Sequence, residues 1–256
     1  MSSRAPNPSR RARREAERRG GKSAAAPIRR GLSPIAWLTG VAVLLGLAVV
    51  AVLVLVNRPA EALALLPPGD PTPVELADGR ALGRSDAPAT LDVYEDYQCP
   101  GCATYSNAME PRLIREYVAA GRLRIVFRDY AFLGQESLDA AAAARAAGEQ
   151  GAFWTYHDWL FANQAGENRG AFRREVLVEI ARRVGLDVAR FERDLDDPAT
   201  AAAVAAERDA AASVPVNSTP TLVLNGQVIE GGLAWETLAV AIDAATAPAP
   251  SASPAP

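Results

Sequence analysis

The sequence YEDYQCPGC at residues 94–102 contains both cysteines of this 256-residue chain, Cys99 and Cys102. Two thiols separated by two residues can cycle between a dithiol and a disulfide in a compartment that permits oxidation. As a purely structural crosslink the pair would stabilise the fold weakly, because closing so short a loop removes little chain entropy. The motif therefore predicts a redox-active pair.

The motif stands where a predicted strand is followed by a predicted helix. An apolar run at 89–94 leads toward Cys99, and residues 102–120 have helical spacing. Pro100 suits the first helical position because no donor is lost there, so the next two amides can donate to the Cys99 sulfur. Lowering a cysteine pKa by about two units, or about 2.7 kcal/mol, makes the thiol mostly ionised at pH 7. We therefore expect Cys99 to be the attacking sulfur and Cys102 to resolve the mixed disulfide.

The patterns outside the motif indicate an α/β domain with a helical insertion. A second strand at 123–128 completes a strand, helix, strand unit, which is expected to be right-handed with parallel strands. Residues from about 134 to 213 then have helical spacing and a high alanine content. Strand signals return at 221–224 and 227–230, joined by Asn225-Gly226, the dipeptide that two-residue hairpin turns favour.

A long uncharged segment near the N-terminus predicts a transmembrane helix. Residues 35–56 form 22 uncharged positions, enough at about 1.5 Å per residue to cross a hydrocarbon core of about 30 Å. Residues 1–34 form a basic tail. The first 30 residues carry a net charge of +8, against −11 for the remainder, within a formal total of −3. This asymmetry predicts a single-pass protein of the cytoplasmic membrane with a cytoplasmic N-terminus and an extracytoplasmic domain.

A cleaved signal peptide is the alternative to a membrane anchor, and it would leave a secreted protein. The apolar part of a signal peptide usually runs only about 7 to 15 residues, which favours the anchor. Both readings export the cysteines to a compartment that permits disulfides. Basic residues beside a membrane helix are explained by topology and anionic lipid, so we predict no nucleic-acid binding.

Composition sets the remaining boundaries. Residues 57–75 are rich in Pro, Ala and Leu and predict an extended linker. Residues 76–244 have an ordinary single-domain length. Residues 245–256 are Ala, Pro and Ser, and predict a disordered tail.

Three separate stretches together resemble the DsbA-like branch of the thioredoxin superfamily. They are YEDYQCPGC at 94–102, SLDAAAAARAAGEQGAFWTYHDWLF at 137–161 and VNSTPTLVLNG at 216–226. The resemblance covers residues 81–244 and implies a thioredoxin-like sheet core with an inserted helical subdomain, here preceded by one transmembrane helix. It also implies protein thiol:disulfide oxidoreductase activity that requires no cofactor.

The resemblance also assigns roles to individual residues. The catalytic pair would be Cys99 and Cys102, with Pro100 and Gly101 as the active-site loop between them. The Thr219–Pro220 peptide bond would be cis and packed beside the cysteines, with the Thr219 backbone binding substrate peptide. The alternative is a trans proline at the start of a strand.

One position departs from the family pattern. Many relatives place a buried carboxylate six residues before the first cysteine, where it can assist proton transfer, and this chain has Val93 there. Asp96 matches the family's usual acidic position before Tyr-Gln-Cys-Pro, and Glu95 is also nearby. Alternation along the strand points Asp92 away from the face of Val93. The sequence therefore assigns no residue to the proton relay.

Metal binding is not predicted. A structural zinc site usually needs four Cys or His ligands, and the chain has two cysteines and one histidine, His157. His157 lies in FWTYHDWLF, where the aromatic residues are expected to pack the helical insertion, so we predict a structural rather than a redox role for it.

The leading interpretation is an oxidase that donates its disulfide to exported proteins with free thiols. A membrane partner, DsbB-like or vitamin-K-epoxide-reductase-like, would reoxidise it. A reductase or isomerase of the same fold is the first alternative, since Pro100-Gly101 lacks the histidine of the most oxidising relatives. The second alternative is a noncatalytic peptide-binding module.

Overall fold

The computed structural model describes residues 34–56 and 64–247, and within the first segment it describes the side chains of residues 35 and 37–49. The chain divides into two compact units, residues 1–61 and 62–256. The predicted basic tail up to residue 33, linker residues 57–63 and tail residues 248–256 lie outside the described residues.

The first unit contains helix α1, Pro34–Val56, which is 23 residues long. Among the described residues, no helix is both long and apolar enough to cross a membrane. The predicted span at 35–56 lies partly outside this description, which does not include the side chains of residue 36 and residues 50–56.

The second unit is built on a six-stranded mixed sheet with the order β1-β2-β4-β3-β5-β6. The strands are β1 Ala77–Asp78, β2 Ala81–Leu82, β3 Ala89–Glu95, β4 Leu123–Asp129, β5 Thr221–Leu224 and β6 Gln227–Val228. Strands β3 and β4 pair in parallel, with Val93 opposite Phe127, as the predicted strand, helix, strand unit requires. Strand β5 lies antiparallel on the other side of β3, so β3 is central.

The helices surround this sheet and form the insertion. Helix α2 runs through Pro100–Thr104, Tyr105–Met109, Glu110–Leu113 and Ile114–Val118; the later helices are α3 Gln135–Gly148, α4 Phe153–Ala162, α5 Arg174–Val184, α6 Val188–Leu195, α7 Pro198–Ala210 and α8 Trp235–Thr246. Helices α3 to α7 lie between β4 and β5, which confirms the predicted helical insertion in the α/β core.

Helix α2 stays continuous by widening twice into π-helical turns, at Tyr105–Met109 and Ile114–Val118. In the first of these turns the amide of Glu110 donates to the carbonyl of Tyr105, five residues earlier. The turn directly precedes Pro111, whose ring has no amide hydrogen to offer the helix. The wider turn therefore carries the helix past the proline, and Cys102 and Glu110 both stay in one helical element.

Alanines allow the insertion to pack closely. Ala140, Ala143, Ala144 and Ala147 on α3 have no exposed surface, and α3 contacts α4, α6 and α7. Small side chains permit close approach of neighbouring helices, as dense interiors require. The insertion is also tied to the sheet, because the indole of Trp154 donates to the carbonyl of Ala81 at 3.2 Å.

Two predicted boundaries need correction. Residues 64–75 of the predicted linker belong to the domain surface: the amide of Thr72 donates to Asp158 Oδ2 at 2.7 Å, and the amide of Leu66 donates to Asn163 Oδ1 at 2.8 Å. At the other end, α8 continues to Thr246, two residues into the predicted tail. Arg122 Nη2 donates to the Thr246 hydroxyl at 2.6 Å and holds this helix end.

Candidate active site

The two cysteines occupy opposite environments at the start of helix α2. Cys99 is the residue before the first turn, with extended backbone dihedrals, and Pro100 takes the first helical position as predicted. Cys99 is 9% exposed, whereas Cys102, one turn further along, has no exposed surface. Both are free thiols in this structure. Only one of the pair is therefore open to a protein substrate.

The surroundings of Cys99 lower its pKa to about 5. The largest contribution is a hydrogen bond from Cys102; it outweighs the opposing effect of burial. The Thr219 side chain and then the amides of Cys102 and Gly101 contribute further. The sequence predicts that the amides of the first helical turn stabilise the thiolate; in the structure they contribute, but less than the Cys102 thiol does. At pH 7 a thiol with this pKa is about 99% ionised.

Cys102 is shifted in the opposite direction. Burial raises its pKa, and the hydrogen bond to Cys99 and the negative charge of Glu95 raise it further. A buried cysteine in these surroundings remains a thiol at neutral pH and can donate to its neighbour. The two sulfurs are thus prepared for different steps.

The second loop of the site comes from residues 120 positions later in the chain. The Thr219–Pro220 peptide bond is cis, as the family resemblance implies. The Cys99 sulfur lies 3.3 Å from the carbonyl oxygen of Thr219. A Cβ added to Gly101 would lie 3.2 Å from Pro220 Cδ and 3.6 Å from Cys99 Sγ. The absence of a side chain at Gly101 therefore lets the two loops meet at the sulfur.

Asp96 fixes the turn that leads from β3 to Cys99. Its Oδ1 accepts hydrogen bonds from the amide of Gln98 at 2.8 Å and from the hydroxyl of Ser137 at 2.6 Å. Its Oδ2 accepts from the amides of Phe132 and Leu133 at 2.8 and 3.0 Å. The carboxylate is thus used structurally, joining the turn to the insertion and to the segment after β4.

Sequence reasoning did not identify the buried carboxylate near the cysteines, which is Glu95. It is 1% exposed, and neither carboxylate oxygen has a hydrogen-bond partner among the described residues. Burial raises the pKa of Glu95 well above its usual value, and the negative charges of Glu110 and Cys99 add to the effect. The signal was available, because residues 93 and 95 project from the same face of a strand.

His157 lies in the core of the insertion, as predicted, but it also has polar partners. Its ring centroid is 4.9 Å from those of Trp154 and Phe161. Its Nε2 lies 3.3 Å from Glu110 Oε2 and 3.1 Å from the hydroxyl of Ser106. It therefore belongs to a polar cluster inside an aromatic shell.

Comparison with known proteins identifies this arrangement. The family model described as thioredoxin matches residues 75–244. The chain belongs to the thioredoxin family. It is 29% identical over 168 residues to the probable disulfide bond formation protein D of Bacillus anthracis, which covers 64% of this chain and 76% of that protein.

Solved structures of thioredoxin-like proteins agree with this assignment. Oxidised BdbD from Bacillus subtilis matches with a TM-score of 0.62 at 23% identity, over 70% of this chain and 97% of that one. DsbA2 from Pseudomonas aeruginosa matches with a TM-score of 0.52 at 29% identity, over 65% of this chain and 93% of that one. This thioredoxin-family chain is a protein thiol:disulfide oxidoreductase of the DsbA type.

Proposed function

We propose that this enzyme forms disulfides in exported proteins and uses the Cys99–Cys102 disulfide as the oxidant. A substrate thiolate attacks Cys99 Sγ, the Cys99–Cys102 bond breaks, and Cys102 leaves and takes up a proton. A second substrate thiolate then attacks the substrate sulfur of the mixed disulfide, and Cys99 leaves as a thiolate. The substrate loses two electrons and gains a disulfide, while the enzyme gains two electrons and becomes a dithiol.

The observation that carries this proposal is the low pKa of Cys99, about 5, beside a buried Cys102 whose pKa is raised. A thiol with a low pKa is a good leaving group, so the second step is fast in the direction of substrate oxidation. The stabilised thiolate also favours the reduced enzyme, which makes the disulfide form a stronger oxidant.

The size of the effect can be estimated from related chemistry. Thioredoxin has a cysteine pKa of about 7 and a potential of about −270 mV, whereas DsbA has values of about 3.5 and −120 mV. Interpolation to the pKa of about 5 for Cys99 gives roughly −180 mV. This value favours an oxidase over a reductase.

Substrate binding is proposed for the second loop. The Thr219 carbonyl lies 3.3 Å from Cys99 Sγ, so an extended peptide that bonds to the Thr219 backbone would bring its cysteine to the reactive sulfur. A 370 Å³ cavity extends from this loop and is lined in part by Pro220, Ile229 and Leu233. Its lining combines these apolar side chains with polar ones such as Asn217 and Glu230, which suits the mixed side chains of an unfolded exported chain.

The proposal includes a single-pass anchor in the cytoplasmic membrane, with the domain on the extracytoplasmic side. The uncharged run at 35–56 and the charge of +8 on the first 30 residues support this topology. An anchor would hold the domain near a membrane partner that reoxidises it, DsbB-like or vitamin-K-epoxide-reductase-like. Recovery of the domain in the medium, without the first 60 residues, would instead support a cleaved signal and a secreted protein.

Trapping of the mixed disulfide tests the catalytic roles. The Cys102→Ser variant of the full chain should accumulate substrate adducts through Cys99 that run at higher mass on non-reducing gels and disappear with reductant. The matched Cys99→Ser variant should form none. Absence of adducts in both variants under oxidising conditions would support the noncatalytic binding module.

The direction of exchange is decided by equilibrium with glutathione. We expect a potential for the Cys99–Cys102 couple above about −200 mV, which would support substrate oxidation. A value near or below about −270 mV would refute the oxidase and support the reductase. Refolding of a reduced, denatured disulfide protein by the oxidised enzyme gives an independent readout.

A further inference from the structure

Three ionisable side chains that the exchange reaction above does not use lie together in the interior. They are Glu95, Glu110 and His157, here named the buried triad, and their exposed fractions are 1%, 2% and 0%. One potential ligand atom of each lies within 4.8 Å of those of the other two. The residues come from β3, α2 and α4. The tertiary fold therefore assembles this site, and no local sequence motif encodes it.

The triad has more buried carboxyl oxygens than its hydrogen bonds can satisfy. Both oxygens of Glu95 and Oε1 of Glu110 are buried and lack hydrogen-bond partners among the described residues. A buried polar oxygen without a partner is unfavourable. A bound cation would satisfy these unpaired oxygens at once.

We propose that Glu95, Glu110 and His157 bind one divalent metal ion of the zinc class. Zinc prefers imidazole nitrogen and carboxylate oxygen at about 2.0 to 2.2 Å, which places tetrahedral ligand atoms about 3.3 Å apart. His157 Nε2 and Glu110 Oε2 are already 3.3 Å apart. Because the remaining separations are at most 4.8 Å, rotation of the Glu95 side chain would close the site.

The surroundings of His157 are those of a metal ligand. Its second ring nitrogen, Nδ1, lies 3.3 Å from the hydroxyl of Tyr97. If Nδ1–H donates to that oxygen, the lone pair of Nε2 points into the triad. The hydroxyl of Ser106 lies 3.1 Å from Nε2 and 3.4 Å from Glu110 Oε2, where a fourth ligand or a bound water would stand.

A route to the triad is also present. Ser106 lines a cavity of about 150 Å³ that is bounded by Pro68, Gly69, Asp70, Asn107 and Asp158. The same Ser106 hydroxyl contacts Glu110 and His157. An ion entering this cavity would thus pass acidic groups and reach the triad across a single hydroxyl.

The test uses the full-length chain with Cys99→Ser and Cys102→Ser, so that no thiolate can bind the metal. Titration with zinc sulfate, followed by calorimetry and by metal analysis after dialysis, should give one ion per chain and a raised melting temperature. Cobalt(II) should give the visible absorption of a tetrahedral nitrogen and oxygen site. Failure of this protein, whose triad is intact, to bind either metal would overturn the proposal.

Variants in the same background locate the ion. Tyr97→Phe, which keeps the ring, should weaken binding by about 10 to 100-fold, as loss of such a supporting hydrogen bond does elsewhere. Glu110→Gln should weaken it further, and Asp129→Asn, a buried carboxylate outside the triad, should leave it unchanged. Circular dichroism reports whether each variant is folded. Unchanged affinity in folded Tyr97→Phe and Glu110→Gln would show that the ion binds elsewhere and would also overturn the proposal.

Discussion

Replacing Cys102 with alanine would remove the hydrogen bond that contributes most to the low pKa of Cys99. Serine at the same position would keep a donor of similar reach. The two substitutions therefore separate this hydrogen bond from the amides at the start of helix α2, which both variants retain. The pair also controls for the loss of the second thiol, since neither variant can form the intramolecular disulfide.

The expected shift follows from the strength of a hydrogen bond to a charged acceptor, about 1.5 to 3 kcal/mol. Cys99 retains some solvent contact, 9% of its surface, so screening favours the lower figure. A loss of about 1.5 kcal/mol corresponds to about one pKa unit. The Cys99 pKa of about 5 should therefore rise to about 6 in Cys102→Ala, and it should stay near 5 in Cys102→Ser.

Absorbance of the thiolate near 240 nm as a function of pH measures the pKa, and the rate of iodoacetamide alkylation provides a second measurement. The doubly substituted Cys99→Ser, Cys102→Ser protein gives the tyrosine background for subtraction. If the alanine and serine variants titrate at the same low pH, the helix amides stabilise the thiolate and our ranking of the contributions is wrong.

Three further predictions concern stability. Because the Cys99 pKa in the folded protein is depressed to about 5, the reduced form should gain stability over the disulfide form as the pH rises from about 5 to about 8.5. The expected gain is about 1 to 2 kcal/mol after solvent screening, and guanidinium unfolding of both forms measures it. Gly83→Ala should destabilise the domain by about 2 to 4 kcal/mol in the same assay, because Gly83 has φ +94° and a Cβ added there would lie 2.6 Å from a backbone oxygen of β4. The control Gly79→Ala, with open space around the added Cβ, should reduce the unfolding free energy by only about 1 kcal/mol. Arg145→Met should destabilise the domain by about 2 to 3 kcal/mol at pH 7, because Arg145 Nε lies 2.7 Å from buried Asp129. Burial raises the pKa of Asp129 to about 6, so Asp129 takes up a proton below that pH and the loss of stability should shrink. Urea unfolding at pH 7 and pH 5 measures both losses, and equal losses would contradict this account.

The parts of the fold that local sequence specifies were predicted well. The parallel pairing of β3 and β4 follows from two apolar runs joined by a helix, and the Asn225-Gly226 turn joins β5 to β6 with positive φ at both residues. Strands β1 and β2 were missed, because each has two residues and exists only through pairing. The packing of residues 64–75 against the domain was missed for a related reason, because the hydrogen bonds of Leu66 and Thr72 reach residues about 90 positions away.

The active site divides in the same way. The position of Cys99 before helix α2 follows from Pro100, a local signal. The main stabiliser of its thiolate did not follow, because the burial of Cys102 depends on tertiary packing, and a buried thiol donates where an exposed one would bond to water. Local sequence therefore places the reactive sulfur, whereas the tertiary packing determines how acidic it is.

The buried carboxyl group of Glu95 lies two positions later on β3 than the carboxylate of many relatives, but on the same face of the strand. Side chains at positions 93 and 95 of β3 project to the same side, about 6.6 Å apart along the strand. Val93 is opposite Phe127 in the parallel pair, and Glu95, two residues closer to the cysteines, is opposite Asp129. At position 95 the carboxyl group raises the pKa of Cys102, has its own pKa raised by Cys99, and also comes within reach of Glu110 and His157. A carboxylate at 93 would lie one strand repeat further from the helix terminus, so the two-residue displacement is what links the redox centre to the buried triad.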